Sequence, residues 1–300
     1  MKIDGHDIDM SNRDKVLFPD DGITKGDLID YYERIATTML PYVSQRPLTL
    51  HRFPDGIDAD GFYQQNAAEY FPDWVVRVAL PHEDGNEVEH CVCDNAATLV
   101  YLANLACITP HVWLARAGRP HHPDRMIFDL DPGEDDFATV RRAAHTIHAV
   151  LGEVSLASFV MTTGSRGLHV VVPLDAEADF DATREFARRV AEAAVAREPD
   201  RLTTEQRKDK RGQRLYVDIM RNAYGQTAVA PYAVRARPGA PVAMPLEWDE
   251  LDDSQLRADR YRIDNAIRRL GQKPDAWSTI ERHVASLRDH EAKLDKLENA

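Results

Sequence analysis

Behind Thr24-Lys25-Gly26-Asp27, apolar side chains recur at Leu28, Tyr32, Ile35 and Met39, the three-to-four spacing of one helix face. The threonine and aspartate can cap each other's backbone, so the pattern predicts an amphipathic helix from here to Pro41. From Phe62 to Asp94 the runs are shorter and rich in turn residues, with Asp84-Gly85 predicted as a hairpin tip, and Ala96 to Cys107 is apolar enough for a largely buried helix. Met126 to Asp131 reads as a strand closed by Pro132-Gly133, and Phe137, Val140, Ala144, Ile147 and Leu151 mark the next helix. A strand near Phe159-Val160-Met161, a Gly-bearing turn over Thr163 to Gly167 and a strand His169 to Val172 follow. A helix on Phe186, Val190 and Ala194 then leads through a basic loop to a strand Leu215 to Met220, and residues 251–300 have room for two more helices. The succession predicts one mixed α/β (α+β) domain over 1–300 with a largely antiparallel catalytic sheet, in lobes of about 1–120, 121–240 and 241–300.

Composition narrows the function more than the fold. Against 37 basic residues stand 50 acidic ones, a formal charge of -13, which disfavours a protein that coats DNA with a uniformly basic surface and makes any nucleic-acid contact local. The charged start at Met1-Lys2-Ile3-Asp4 has no apolar signal-like run and no stretch matches a membrane span, so a cytoplasmic protein is expected. Three cysteines make no disulfide framework, and Cys91-x-Cys93 lacks a second ligand pair for zinc; all three read as buried thiols.

Asp129 and Asp131 stand two apart on a strand, so both carboxylates leave one face while Leu130 enters the core. The chain has other Asp-x-Asp pairs, at 7 and 9, 58 and 60, and 179 and 181, for which a solvated or capping role is expected. At 129 the apolar run buries the strand and Pro-Gly ends it where a site would open. On the strand from Leu215 the alternation leaves Tyr216, Asp218 and Met220 on one face, which supplies a third strand-borne carboxylate. Three carboxylates holding two divalent ions, Mg²⁺ or Mn²⁺, suit in-line phosphoryl transfer.

The turn after Thr162 offers backbone N–H groups beside Ser165, Arg166 and His169, a setting for triphosphate oxygens or equally a solvated hairpin turn. Thr227 to Arg237 reads as strand-like, with Arg235 and Arg237 on one side, able to neutralise phosphate or to form surface ion pairs. Arg207, Lys208, Lys210, Arg211 and Arg214 crowd the loop before Asp218, giving the local basic patch that the overall acidity demands.

FDLDPGE (Phe128 to Glu134), TTGSRGLH (Thr162 to His169) and YVDIMRN (Tyr216 to Asn222), with SNRDKVLFP from Ser11 and APYAVRAR to Arg237, occur in the order and at the spacing of a known family. Over about Ser11 to Trp248 the chain resembles the polymerase domain of bacterial ligase D and its stand-alone relatives in the archaeo-eukaryotic primase superfamily. The resemblance implies a primase fold with an RRM-like catalytic core flanked by helices, and an N-terminal lobe carrying 5′-phosphate and template contacts. It implies Asp129, Asp131 and Asp218 as catalytic metal ligands, and His111, Ser165, Arg166, His169 and Arg235 around the incoming nucleotide. Lys15 and Lys25 match lysines that bind a 5′-phosphate across a DNA gap. A cation in the first turn of a helix opposes the macrodipole unless an anion binds there, which agrees for Lys25. Arg52, Phe62, Tyr63 and Arg211 fall at template or DNA positions, where a ring can stack on a base. The resemblance further implies a preference for ribonucleotides, with Ser165 and Thr227 as candidates for the 2′-OH contact.

The chain departs from the family where a second phenylalanine and a lysine are usual, reading Phe62-Tyr63-Gln64-Gln65, and where His51 replaces a basic residue before Arg52. The predicted hairpin carries Glu83, Asp84, Glu87 and Glu89, negative charge that would repel a phosphate backbone during end synapsis. The reading is a template-directed nucleotidyltransferase acting on gaps or double-strand breaks in non-homologous end joining. Its implied partners are NTPs or dNTPs, a DNA ligase, fused or separate, and Ku. Competing readings are a stand-alone primase-polymerase in gap repair or priming, a D-x-D glycosyltransferase using a nucleotide-sugar, and a DNA-end-binding module with a degenerate site.

Overall fold

In a computed structural model the described residues are 1–81, 85–132 and 136–299. The chain folds into two compact units, each assembled from three stretches: Met1–Gly118 with Thr227–Met244 and Tyr261–Lys273, and Arg119–Gln226 with Pro245–Arg260 and Pro274–Ala300. Residues 227–244 thus belong to the first unit although they follow the long stretch Arg119–Gln226 of the second.

The first unit is built on an antiparallel sheet in the order Thr227–Val229, Cys107–Trp113, Leu48–Arg52, Phe62–Gln64. The helix Lys25–Val43 begins as its cap predicts: Asp27 N donates to Thr24 Oγ1 at 3.2 Å and Thr24 N donates to Asp27 Oδ2 at 2.8 Å. It runs past Pro41, which sits inside the last turn rather than ending it. Leu28, Tyr32, Ile35 and Met39 are buried, as their spacing predicts. The second helix, Ala96–Asn104, is shorter than expected, because Ala106 takes a left-handed conformation and Cys107 already opens a strand. A hairpin joins Arg77–Pro81 to Glu87–Cys91 with Gly85 at positive φ; Glu83 and Asp84 lie outside the described residues. All three cysteines are free and buried, and burial pushes the Cys91 and Cys107 thiols up to about 12.

The second unit carries a six-stranded sheet in the order Leu202–Thr203, Leu215–Asp218, Arg125–Asp131, Leu168–Pro173, Phe159–Thr162, Pro245–Leu246. Every neighbouring pair is antiparallel except the first, so the expected mixed α/β fold with a largely antiparallel sheet is observed. The helices Phe137–Glu153 and Phe180–Arg197 bury the apolar rows that predicted them. Asp179 caps the second of these by accepting from Ala182 N, the capping role its Asp-x-Asp pair suggested. The strand from Leu215 stops at Asp218 rather than Met220, because the chain turns into a 3₁₀ helix over Met220–Asn222. The strand expected over Thr227 to Arg237 is real only at Thr227–Val229; Tyr232 then adopts a positive φ and Arg237 N bonds the Arg235 carbonyl in a turn. The last part of the chain holds helices Ala266–Gln272 and Glu291–Glu298 among shorter 3₁₀ turns. Among the described residues, no helix is long and apolar enough to cross a membrane.

Candidate active site

Strand pairing sets the geometry of the acidic site. Arg125–Asp131 is flanked by Leu168–Pro173 and Leu215–Asp218, in a register that puts Asp129 opposite both His169 and Asp218, and Asp131 opposite Tyr216. Asp129, Asp131 and Asp218 line one cavity of about 500 Å³. Five cationic side chains, Arg166, Lys208, Arg211, Arg214 and Arg221, line the same space. Positive charge therefore exceeds negative around this cavity.

The three carboxylates differ in surroundings. Asp131 is exposed at the strand end, whereas Asp129 is only 7% exposed. Burial alone would raise the Asp129 carboxyl, but the imidazole of His169, 3.4 Å from Oδ1, and the guanidinium of Arg221, 3.3 Å from Oδ2, outweigh it and hold it at about 2. Asp218 Oδ1 accepts from Met220 N at 2.8 Å, which ties the carboxylate to the turn that ends its strand. Burial and the neighbouring Asp218 carboxylate together push the Tyr216 hydroxyl up to about 12, and the Arg211 guanidinium lies 4.0 Å above its ring.

The donor set suits a hard divalent cation: all oxygen, all on one sheet face, with the buried member held ionised. Among the described residues no three His, Cys, Asp or Glu side chains are gathered closely enough to hold a metal ion, and Asp129 meets the His169 imidazole and the Arg221 guanidinium.

The Gly-bearing turn is shaped around this strand. Thr163 Oγ1 accepts from Ser165 N and Gly167 N, while Thr163 N donates to the Gly167 carbonyl at 3.0 Å. A Cβ at residue 167 would overlap the Leu130 carbonyl and the Asp131 carboxylate, so the turn approaches the acidic strand as only glycine permits. Arg166 is exposed at its tip and lines the cavity. His169 is buried, and its Nδ1 has no hydrogen-bond partner among the described residues.

Sequence reading missed two contributors. Arg221 pairs with Asp129, and Asn222, fully buried, donates from Nδ2 to the Ile127 and Ile219 carbonyls and accepts from Ile127 N, bracing the turn after Asp218 against the acidic strand. Both lie in the YVDIMRN motif. Position in the motif was the available signal, but only the turn at Met220 brings them back to residues 127 and 129.

The other expected site residues lie in the first unit. His111 pairs in register with Thr49 and Val229, and Thr227 with Trp113. Tyr63 stacks on His51 at 4.0 Å and meets the His111 ring edge-on at 5.8 Å. Phe62 and Tyr63 are 45% and 62% exposed. Arg52 is more anchored than a template contact needs: it donates to the Leu105 carbonyl, Gln64 Oε1 and the Tyr70 hydroxyl, and lies 5.3 Å over the Phe62 ring. Desolvation, aided by the charge of Arg235, lowers the His51 imidazole.

Lys15 and Lys25 are neighbours through a backbone bond from Lys25 N to the Lys15 carbonyl. Lys15 pairs with Asp55 at 2.7 Å. Lys25, only 5% exposed, donates to Ser11 Oγ and the Asn104 carbonyl, neutral acceptors both. Burial and then the charge of Lys15 lower its ammonium.

A family model described as LigD, primase-polymerase domain, matches residues 24–277. The multifunctional non-homologous end joining DNA repair protein LigD of Mycobacterium tuberculosis is 34% identical over 283 residues, covering 91% of this chain and 37% of that protein. The bifunctional non-homologous end joining protein LigD of Bacillus subtilis is 31% identical over 265 residues, covering 88% of this chain and 42% of the relative. The chain thus spans less than half the length of these relatives. The polymerase domain of Mycobacterium tuberculosis ligase D, solved in complex with DNA, matches with a TM-score of 0.87 at 32% identity, covering 93% of this chain and 99% of that one. Matched by the family model over most of its length and by a solved member over nearly all of it, the chain belongs to the LigD primase-polymerase domain family.

Proposed function

We propose that this chain is a template-directed nucleotidyltransferase that fills gaps or extends ends during non-homologous end joining, joining a primer 3′-OH to the α-phosphate of an incoming nucleotide. The observation that carries the reading is the gathering of Asp129, Asp131 and Asp218 around one cavity with five cationic side chains. Those carboxylates would hold divalent ions, Mg²⁺ or Mn²⁺, which when bound supply charge stabilisation to phosphoryl oxygens and acidity to the attacking hydroxyl.

The chain's own residues divide the remaining work. Arg166 and Lys208 line the cavity where triphosphate oxygens would lie and neutralise their charge. His169 holds Asp129 through Nε2 and keeps its other buried nitrogen free for the nucleotide. Ser165, at the same turn, and Thr227, His111 and Arg235, in the first unit, are assigned to the sugar and phosphates. The preference for ribonucleotides rests on a site that pairs a 2′-OH and loses that bond when the hydroxyl is missing. Lys15 and Lys25 are assigned to a 5′-phosphate, and Arg52, Phe62, Tyr63 and Arg211 to the template. A ligase and Ku are the partners this reaction implies, in a cytoplasmic, nucleoid-associated setting.

The test is extension of a gapped duplex with and without a downstream 5′-phosphate, in Mn²⁺ and in Mg²⁺, with ribo- and deoxyribonucleotides. Template-dependent addition, faster with ribonucleotides and improved by the 5′-phosphate, is the expected result. Absence of addition in either metal would remove the catalytic reading. Addition indifferent to the 5′-phosphate would favour a primase-polymerase serving other gaps.

A further inference from the structure

The basic loop before Asp218 does not present its charges to one place. Over Arg207 to Arg214 the sequence packs Arg207, Lys208, Lys210, Arg211 and Arg214 around a short helix, Lys208–Arg211, in a chain whose formal charge is -13. Lys208 and Arg211, three apart, line the catalytic cavity. Arg207, Lys210 and Arg214, at steps of three and four, instead line a separate, open cavity of about 720 Å³ with Thr203, Thr204 and Glu205. The run is thus divided into an inner and an outer row, with Arg214, beyond the helix, common to both cavities.

The outer row has the traits of a surface waiting for a polyanion. Arg207 and Lys210 are exposed, and no ion pair engages either side chain among the described residues. The arginines of the Phe180–Arg197 helix behave differently: Arg184 pairs with Asp181, Arg188 with Glu185 and Glu192, and Arg197 with Glu153. Bonds from Arg211 to the Glu205 and Gln206 carbonyls, and from Arg214 to the Lys210 and Arg211 carbonyls, hold the loop in shape without using the side chains of Arg207 or Lys210. The outer cavity also has no aromatic lining, only threonine, acidic, amide and basic side chains. Unpaired bases expose faces that stack on rings, as Phe62 and Tyr63 offer in the first unit, whereas a paired duplex keeps its bases stacked inside and turns its phosphates outward.

We infer that the outer row, Arg207 and Lys210 with Arg214, is a second nucleic-acid contact that tracks the phosphates of duplex DNA, distinct from the inner row, Lys208 and Arg211, at the catalytic cavity. The inference rests on the polymerase reading and assigns the loop's outer face to the DNA duplex. Its role is to position the duplex, not to read its sequence.

The experiment measures binding of the wild-type chain and of an Arg207→Gln/Lys210→Gln variant to a fluorescent blunt duplex across a salt series. Each duplex phosphate contact contributes a slope of about 0.9 in log K against log salt, so the variant should lose roughly 1.8 of the wild-type slope. Nucleotide binding in the absence of DNA should stay as in the wild type. A matched control, Arg184→Gln/Arg188→Gln, makes the same change in net charge on ion-paired helix arginines and should keep the wild-type slope. Wild-type slope in the outer-row variant would overturn the inference, as would an equal loss in the control, which would reveal only a net-charge effect. If the wild-type chain extends gapped DNA while the outer-row variant keeps its slope, the polymerase reading stands and the duplex track falls. If the wild type neither binds duplex nor extends it, both fall. An Arg207→Glu/Lys210→Glu variant whose thermal melting matches the wild type should lose still more duplex affinity, and unchanged affinity there would overturn the inference independently.

Discussion

Each unit buries one charged side chain at its candidate site, and the two are handled in opposite ways. Asp129 is 7% exposed and has a partner at each carboxylate oxygen, the His169 imidazole at one and the Arg221 guanidinium at the other. Lys25 is 5% exposed and donates to a serine hydroxyl and a backbone carbonyl, with Lys15 adding like charge. The shifts carry this contrast: the aspartate is held more acidic than usual despite burial, and the lysine is made less basic by burial. A compensated buried charge is part of the fold's own electrostatics. An uncompensated one raises the energy of the free protein, and an anion that meets it recovers that energy on binding.

The sharpest way to break the comparison is to remove the acidic members. Asp131→Ala and Asp218→Ala should each lower nucleotide addition at least about a hundredfold in a gapped-duplex extension assay while leaving thermal melting near wild type. Asp129→Ala should lose as much activity and also stability, because it strands the buried imidazole of His169 beside Arg221. Near-normal extension by any of the three would dissolve the shared acidic site.

Next in size is Lys25→Met. Affinity for gapped DNA should fall about tenfold or more when a 5′-phosphate is present and little when it is absent, with no loss of stability in urea unfolding. A large fall in stability with unchanged phosphate preference would make Lys25 a structural residue and erase the contrast.

The pH dependence sharpens the same point from both sides. Asp129 titrates at about 2 in the folded chain against 3.8 as the ordinary value, so its contribution, roughly 2 kcal/mol, is present above 3.8 and is lost as pH falls towards about 2. The difference in unfolding free energy between wild type and Asp129→Asn should shrink over that window. Lys25 gives the same direction in a different window and from the opposite cause: burial makes its folded ammonium the more acidic, so below 10.5 the unfolded chain binds the extra proton and stability from this group rises with pH there. Lys25→Met should remove the rise.

Smallest is Lys15→Ala. Lys15 is exposed and already paired with Asp55, so stability should change by only about 0.2–1 kcal/mol, while the salt slope for 5′-phosphorylated DNA should fall by about one contact. A loss as large as that of Lys25→Met would mean that exposure does not separate the two lysines.

What could be read before the fold was known was local. The capping pair Thr24 and Asp27, the alternation that put Asp129 and Asp131 on one face with Leu130 inward, and the burial of Leu215 and Val217 beside Asp218 follow from periods of two and 3.6 within single elements. What escaped was set by chain reversals. The turn at Met220 sends Arg221 back to Asp129 and Asn222 back to Ile127, contacts separated by more than ninety residues in sequence. The strand expected through Arg237 stops at Val229 because Tyr232 takes a positive φ, a conformation that its residue type does not advertise. Lys25 was legible as a cation in a first turn, but its loss of water depends on Ser11 and Asn104, which only tertiary packing brings to it.

The interleaving of the two units has a consequence for synthesis. The first unit's sheet takes an outer strand, Thr227–Val229, from far beyond the strand Cys107–Trp113 that it pairs with, and the unit is complete only with residues up to Lys273. On the ribosome the opening 118 residues therefore emerge as an unfinished fold whose Cys107–Trp113 strand presents an open hydrogen-bonding edge while the whole stretch from Arg119 to Gln226 is still being made. Vectorial synthesis would then leave the second unit's central strands available to fold before the first unit's sheet can close. Nascent chains of this protein should carry their greatest aggregation risk in that interval, and a fragment cut at Gly118 should inherit it permanently.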